Sequence, residues 1–143
     1  MQVDFLNFAD AVENKLPKRF FVVGDAPVWL SKGLSQVSFF NFVGNVCVLL
    51  SSETAEAKLR KHFTGENLNS LIDVIAFLLS CETPEVYEGK HPNSLEAYFE
   101  INQELWVVVF KSTVLKEIIV KTVHRTDARN LQTARRRRLL YRA

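Results

Sequence analysis

The stretch Leu95-Glu96-Ala97-Tyr98-Phe99-Glu100-Ile101-Asn102-Gln103-Glu104-Leu105-Trp106-Val107-Val108-Val109-Phe110-Lys111 decides the fold class. Leu95, Ala97, Phe99 and Ile101 alternate with Glu96, Tyr98 and Glu100. That is the period of a half-buried strand, and its polar side is expected to be wet and acidic. Leu105 to Lys111 is a second aromatic and β-branched run, and Asn102-Gln103 between the two is short enough for a hairpin. Downstream, Ile118 to Arg125 reads as another strand, and upstream so does Val86-Tyr87 behind Pro84.

Further towards the N-terminus the period changes to that of helices. Leu68, Leu71, Ile72, Ile75, Leu78 and Leu79 form one apolar stripe behind Asn67, a good helix cap. Ser51-Ser52-Glu53 offers cap chemistry for a helix through Phe63. Phe5, Phe8, Ala9 and Val12 predict a first helix over residues 3–16, stopped by Pro17. Between these lie a compact run from Phe20 to Val23, a short helix over Ala26-Pro27-Val28-Trp29-Leu30 closed by Gly33, and strand-like chemistry from Val37 to Leu50 interrupted at Gly44-Asn45. A last helical pattern, Ala128 to Tyr141, carries the arginines. This order predicts an α+β domain over residues 1–127, with N-terminal helices packed on a roughly four-stranded antiparallel sheet, followed by a basic C-terminal helix or tail over 128–143.

The 143 residues are 48% hydrophobic, enough apolar surface for one real core. No apolar run approaches the roughly 20 residues that cross a bilayer. The N-terminus places Asp4 and Asp10 where an export signal has basic residues, so the expected setting is cytoplasmic, with no membrane partner. Cys47 and Cys81 sit in apolar surroundings and read as small hydrophobes rather than a disulfide framework. Trp29 and Trp106 read as core.

Charge is split along the chain. Residues 1–110 carry eight Lys and Arg against fourteen Asp and Glu, a balance of −6, whereas residues 111–143 carry ten against two, a balance of +8. A basic surface beside an acidic body suits contact with a polyanion. The basic groups concentrate in Lys121-Thr122-Val123-His124-Arg125 and in the run Arg135-Arg136-Arg137-Arg138. Strict alternation puts Thr122 and His124 on one side of their strand and Lys121 and Arg125 on the other, unless a bulge intervenes. The same cations also suit solvation of an edge strand. The arginine run can hold phosphates electrostatically, dock on an acidic partner, or form a solvated helix face. His91, within Gly89-Lys90-His91-Pro92-Asn93, reads as a loop residue.

Phosphate loops, dinucleotide fingerprints, the nucleophile elbow and the H-E-x-x-H zinc motif do not occur. Histidines at 62, 91 and 124 lack close metal-ligand spacing, and no cofactor or metal is expected.

The segment Gly24-Asp25-Ala26-Pro27-x-Trp29-Leu30, the triplet Arg60-Lys61-His62 before an apolar helix, Pro84 ahead of a strand, and the late Ile119-Val120-Lys121-Thr122-Val123-His124-Arg125 occur in this order. Over roughly residues 20–126 the arrangement resembles phage-associated nuclease domains of the barnase, EndoU, colicin and RelE-like superfamily. The resemblance implies N-terminal helices against a four-stranded antiparallel sheet and metal-free cleavage of RNA. It places the family's recurrent polar positions on Lys61, His62, Lys121, Thr122, His124 and Arg125. His124 departs from the tyrosine more usual at its position.

Such cleavage drives the ribose 2′-hydroxyl onto its adjacent phosphate, which requires a base, an acid and fixed positive charge. The expectation is therefore a phage-associated or toxin-type ribonuclease acting on tRNA or mRNA. His62 is its proton-transfer group, Arg125 its phosphate clamp, Lys61, Thr122 and His124 its further site residues, and an acidic inhibitor or immunity protein a partner. Lys121 and Arg135 to Arg138 would bind nucleic acid. The competing expectation is a noncatalytic module that binds nucleic acid or protein through its basic C-terminal surface. The two separate on whether His62 and the late strand meet in one concave, open site.

Overall fold

The computed structural model describes residues 20–37, 47–81, 84–112 and 118–142. The helix expected over residues 3–16 and the turn expected at Gly44-Asn45 lie outside them. The strands are β1 (Phe20–Asp25), β2 (Cys47–Ser51), β3 (Glu85–Glu88), β4 (Ser94–Ile101), β5 (Glu104–Ser112), β6 (Ile118–Thr126) and β7 (Leu139–Arg142). The helices are α1 (Val28–Val37), α2 (Ser52–Lys61), α3 (Leu68–Ser80) and α4 (Ala128–Ala134). All seven strands join one sheet in the order β1-β2-β6-β5-β4-β3-β7. Pairing is antiparallel throughout except where β2 runs parallel to β6. The class is α+β, but the sheet is larger than the four antiparallel strands expected, and it is mixed.

The hairpin forms where alternation places it. Ile101 pairs with Glu104, and Asn102 and Gln103 between them take φ of 51° and 67°. Two consecutive left-handed residues make the turn whose twist matches the flanking strands. The helix caps also form as expected: Ser51 Oγ accepts the Thr54 N–H at 3.1 Å and Asn67 Oδ1 accepts the Ser70 N–H at 2.9 Å. Gly33 does not close α1. It lies buried inside the helix, where a Cβ would come within 3.2 Å of Leu95 Cδ2. The missing side chain lets α1 press against β4.

One face of the sheet carries the main core. Trp29 and Leu30 of α1, Ala55 of α2 and the apolar stripe of α3 pack on Val86, Leu95, Ala97, Phe99, Val108, Phe110, Val120 and Val123. Trp29 sits there edge-on to Phe99 and Phe110, its Nε1 donating to the Cys81 carbonyl at 2.9 Å. Cys81 is a free, partly buried thiol. Trp106 is only half-buried, against Phe63.

The opposite face is not the wet acidic surface that alternation predicts. Tyr87, Tyr98, Val107 and Ala134 form a second buried cluster there, with Leu105, Val109 and Leu131 against it. Glu96 is buried as well, 8% exposed. α4 and the following turn cover this face because the C-terminal segment is not one basic helix: α4 stops at Ala134 and β7 pairs with β3. Most of the arginine run is bound internally. Arg135 forks onto both Glu85 carboxylate oxygens, Nε to Oε1 at 3.1 Å and Nη2 to Oε2 at 2.9 Å. Arg137 donates to the Glu88 carbonyl and, at 2.7 Å, to Glu96. Arg138 donates to Gln36 on α1. Arg136 is exposed. Among the described residues, no helix is long and apolar enough to cross a membrane.

Candidate active site

The site begins with a register shift in β6. Phe110 pairs with Val120 but Val109 pairs with Thr122, so Lys121 is an extra residue bulged out of the ladder. Strict alternation is broken once. Val120 and Val123 both point into the main core, at 0% exposure, while Lys121, Thr122, His124 and Thr126 line a cleft on the opposite face. Thr122 Oγ1 and His124 Nδ1 are 3.3 Å apart. Depending on the tautomer, the hydroxyl donates to Nδ1 or an Nδ1–H donates to the hydroxyl oxygen.

Arg125 is not brought to this place. It falls on the other side of β6, with its guanidinium carbon 5.3 Å from the centre of the Trp106 ring and Nε 3.3 Å from Glu104 Oε2. Its partner across the ladder is Trp106, whereas His124 sits opposite Val107. The bulge that gathers Lys121, Thr122 and His124 therefore leaves Arg125 behind.

His62 arrives from the other side. β2 pairs with β6 only over Ile118 to Val120, after which the chain turns at Ser51 into α2, and α2 packs against the remaining length of β6. His62 is the C-cap of α2, its backbone N–H donating to the Lys58 carbonyl at 2.9 Å. From there its ring stacks on that of His124, with centroids 4.9 Å apart and planes inclined by 19°.

Both imidazoles are held below the ordinary value of 6.5. For His62 partial burial contributes most, then the Lys58 and Lys61 ammoniums; for His124 burial again leads, followed by His62 and Lys58. The C-terminal dipole of α2 acts in the opposite direction, favouring an imidazolium at this position. Lys58 is itself pulled down by burial and by Lys61. Lys58 is not among the residues that motif order singles out, although its position four residues before His62 on a helix is a usable signal.

The cleft beside His124 has a volume of about 370 Å³, within the range of small-ligand sites. Val107 and Val109 of β5 form an apolar strip between His124 and Thr122 of β6 and Tyr98 and Glu96 of β4. Lys90 and His91 reach it from the β3–β4 turn, and Arg137 from beyond α4. Glu96 is the one carboxylate among the described residues lining it. Its Oε1 accepts both the Tyr98 hydroxyl at 2.6 Å and Arg137. Burial and that carboxylate push the Tyr98 phenol well above its usual range. With Glu96 engaged, Lys90 and Lys121 give the cleft a positive balance.

Of the residues singled out from sequence, Lys121, Thr122 and His124 line the cleft, while His62 stacks on His124 without lining it and Lys61 is adjacent to His62 on α2. Arg125, Arg135, Arg136 and Arg138 do not line the cleft, and Arg137 enters it paired to Glu96. His91, Lys90, Glu96 and Tyr98 join the cleft without any motif in the sequence marking them for it. Among the described residues, no group of three or more His, Cys, Asp and Glu side chains lies close enough to hold a metal ion. Comparison of the chain with known protein families, with curated proteins and with solved structures finds no match.

Proposed function

We propose that the protein is a ribonuclease that cleaves RNA by attack of the 2′-hydroxyl on the adjacent phosphate, with His62 and His124 as its acid–base pair and no metal ion required. The contact between those two rings carries the reading: two groups from separate elements, 62 residues apart in sequence, meet at 4.9 Å beside a cationic cleft. In-line attack places the entering 2′-oxygen and the leaving 5′-oxygen on opposite sides of the phosphorus. Two neighbouring imidazoles can serve one oxygen each. The neutral ring takes the 2′-hydroxyl proton as the new P–O bond forms, and the protonated ring gives its proton to the 5′-oxygen as the old bond breaks. The products are a 2′,3′-cyclic phosphate and a 5′-hydroxyl, with no net change in protons.

The remaining groups fit the same step. Thr122 orients His124 through the Oγ1–Nδ1 contact. Lys121, Lys58 and Lys61 supply fixed positive charge for the crowded phosphorane, the role expected of Arg125 from the sequence. The Val107 and Val109 strip offers a dry face to a nucleobase.

The test is incubation of the protein with total RNA in EDTA, alongside His62→Ala and His124→Ala. Strand scission that leaves cyclic-phosphate ends, spares DNA and falls at least 100-fold in each variant is expected. If His62→Ala, still folded by circular dichroism, cleaves as fast as the parent protein, the assignment is wrong. Binding of RNA without cleavage would instead favour a noncatalytic module.

A further inference from the structure

Lys90 and His91 are not needed for proton transfer at the His62–His124 pair, yet they line the same cleft. They stand on the turn between β3 and β4, whereas His124 and Lys121 stand on β6, two strands from β4 and three from β3 in the sheet. Two to three interstrand steps of about 4.8 Å each therefore separate the two groups. A single phosphate held at the histidine pair does not span that width.

The turn itself is tightly built. The Gly89 N–H donates to the Ser94 carbonyl at 3.0 Å, and the Ser94 N–H and hydroxyl both donate to the His91 carbonyl, at 3.3 and 2.5 Å. Asn93 holds a left-handed φ of 60°. A Cβ on Gly89 would collide with the Ser94 side chain and approach its carbonyl carbon to 3.1 Å, so the turn closes only with glycine there. Glu88 and Leu95 pair directly beneath it. Lys90 and His91 are exposed on this frame, and the cleft's carboxylate, Glu96, is already bound to Arg137 and Tyr98.

We infer that the Lys90–His91 turn is a second anion subsite, holding the phosphate of a neighbouring nucleotide while the scissile phosphate lies at His62 and His124. This rests on the ribonuclease reading for the direction of the strand, not for its binding. The site then takes a run of nucleotides: a cation and an imidazole N–H at one wall, an apolar strip for a base between, and the reacting phosphate at the other wall. The ligand class is a single-stranded polynucleotide with at least two phosphates.

The experiment uses uncleavable all-2′-deoxy oligonucleotides with one and with three phosphates, and follows binding by fluorescence anisotropy at several salt concentrations. The whole protein should bind the three-phosphate strand at least tenfold more tightly than the one-phosphate strand. In Lys90→Ala/His91→Ala that preference should collapse to under threefold, and the slope of log affinity against log salt should fall by about 0.7, the share of one lysine on a single-strand phosphate. Lys90→Arg with His91 intact should keep the preference. Equal binding of the two strands by the parent protein, or an unchanged preference in the double variant, overturns the subsite. Because no cleavage is read, the outcomes separate: RNA cut without length preference sinks the subsite alone, and length preference without RNA cleavage sinks the ribonuclease reading alone.

Discussion

Replacing Glu85 with Gln tests how the C-terminal segment is fastened to the sheet. Glu85 Oε1 accepts the Tyr87 hydroxyl at 2.6 Å, Arg135 Nε at 3.1 Å and Arg142 Nη2 at 2.9 Å, and Oε2 accepts Arg135 Nη2 at 2.9 Å. The Arg135 hydrogen bonds, assisted by Tyr87 and Arg142 against a desolvation penalty, bring its carboxyl from 4.5 down to about 2. A carboxyl with a lower value folded than unfolded binds its proton more readily in the unfolded chain. Its stabilisation is therefore complete above about pH 4.5 and is lost as pH falls from there towards 2. That fall from 4.5 to about 2 corresponds to an upper figure of about 3.4 kcal/mol at 1.36 kcal/mol per pH unit.

The Arg135 and Arg142 side chains are 37% and 55% exposed, so solvent screens their pull. About 2 kcal/mol is the expected net effect. Urea unfolding of the parent protein and Glu85→Gln, followed by far-UV circular dichroism, should differ by about 2 kcal/mol near pH 7, with the gap shrinking steadily below about pH 4.5 and closing only below about pH 2. A gap that stays constant across this range would refute the argument, because the contribution would then come from shape and neutral hydrogen bonds.

Two further predictions concern the cleft. With both imidazoles held below 6.5 by burial and by neighbouring cations, the bell-shaped pH profile of kcat/KM for RNA cleavage should peak on the acidic side of 6.5. Lys58→Met should move both limbs upward, and a peak above 6.5 that Lys58→Met leaves in place would count against the pair. Arg125→Gln, on the far face over Trp106, should keep RNA cleavage within about twofold of the parent, whereas Thr122→Val should lower kcat about tenfold or more with KM little changed.

Much of the fold is readable where one period runs uninterrupted. β4, β5 and the hairpin at Asn102-Gln103 follow from alternation, and α3 follows from its apolar stripe and Asn67. Three features are not readable, each for a physical reason. The parallel contact of β2 with β6 joins segments separated by two helices and three strands, and no local pattern encodes it. β7 is four residues long behind a run of arginines, so Leu131, Leu139 and Leu140 look like one helix although they belong to two elements. The bulge at Lys121 is a single added residue, and alternation read across it misplaces every side chain on one side of it. For the site, residue type points to His62 and His124, but their meeting depends on α2 docking along the edge that β2 leaves open. His91 does lie in a turn, as its neighbours Gly89 and Pro92 suggest. What no local pattern shows is that pairing of β3 with β4 sets that turn at the rim of the cleft.

The charge split along the chain takes on a different meaning once the contacts are known. Four arginines of the basic C-terminal third are bound to carboxylates of the acidic portion: Arg135 and Arg142 to Glu85, Arg137 to Glu96, and Arg125 to Glu104. Four of the ten Lys and Arg residues of that segment thus pair with three carboxylates of β3, β4 and β5. The cations set around the histidine pair and its cleft come mainly from the acidic portion, as Lys58, Lys61 and Lys90, joined by Lys121. The positive balance of the cleft therefore depends on pairing its one carboxylate among the described residues, Glu96, as well as on placing cations there. Glu96 shows this most directly: if Arg137 did not hold it, the cleft would carry a bare carboxylate facing any phosphate that entered. On the proposed reading, Arg137, the one member of the run that lines the cleft, favours an anion there by occupying its carboxylate.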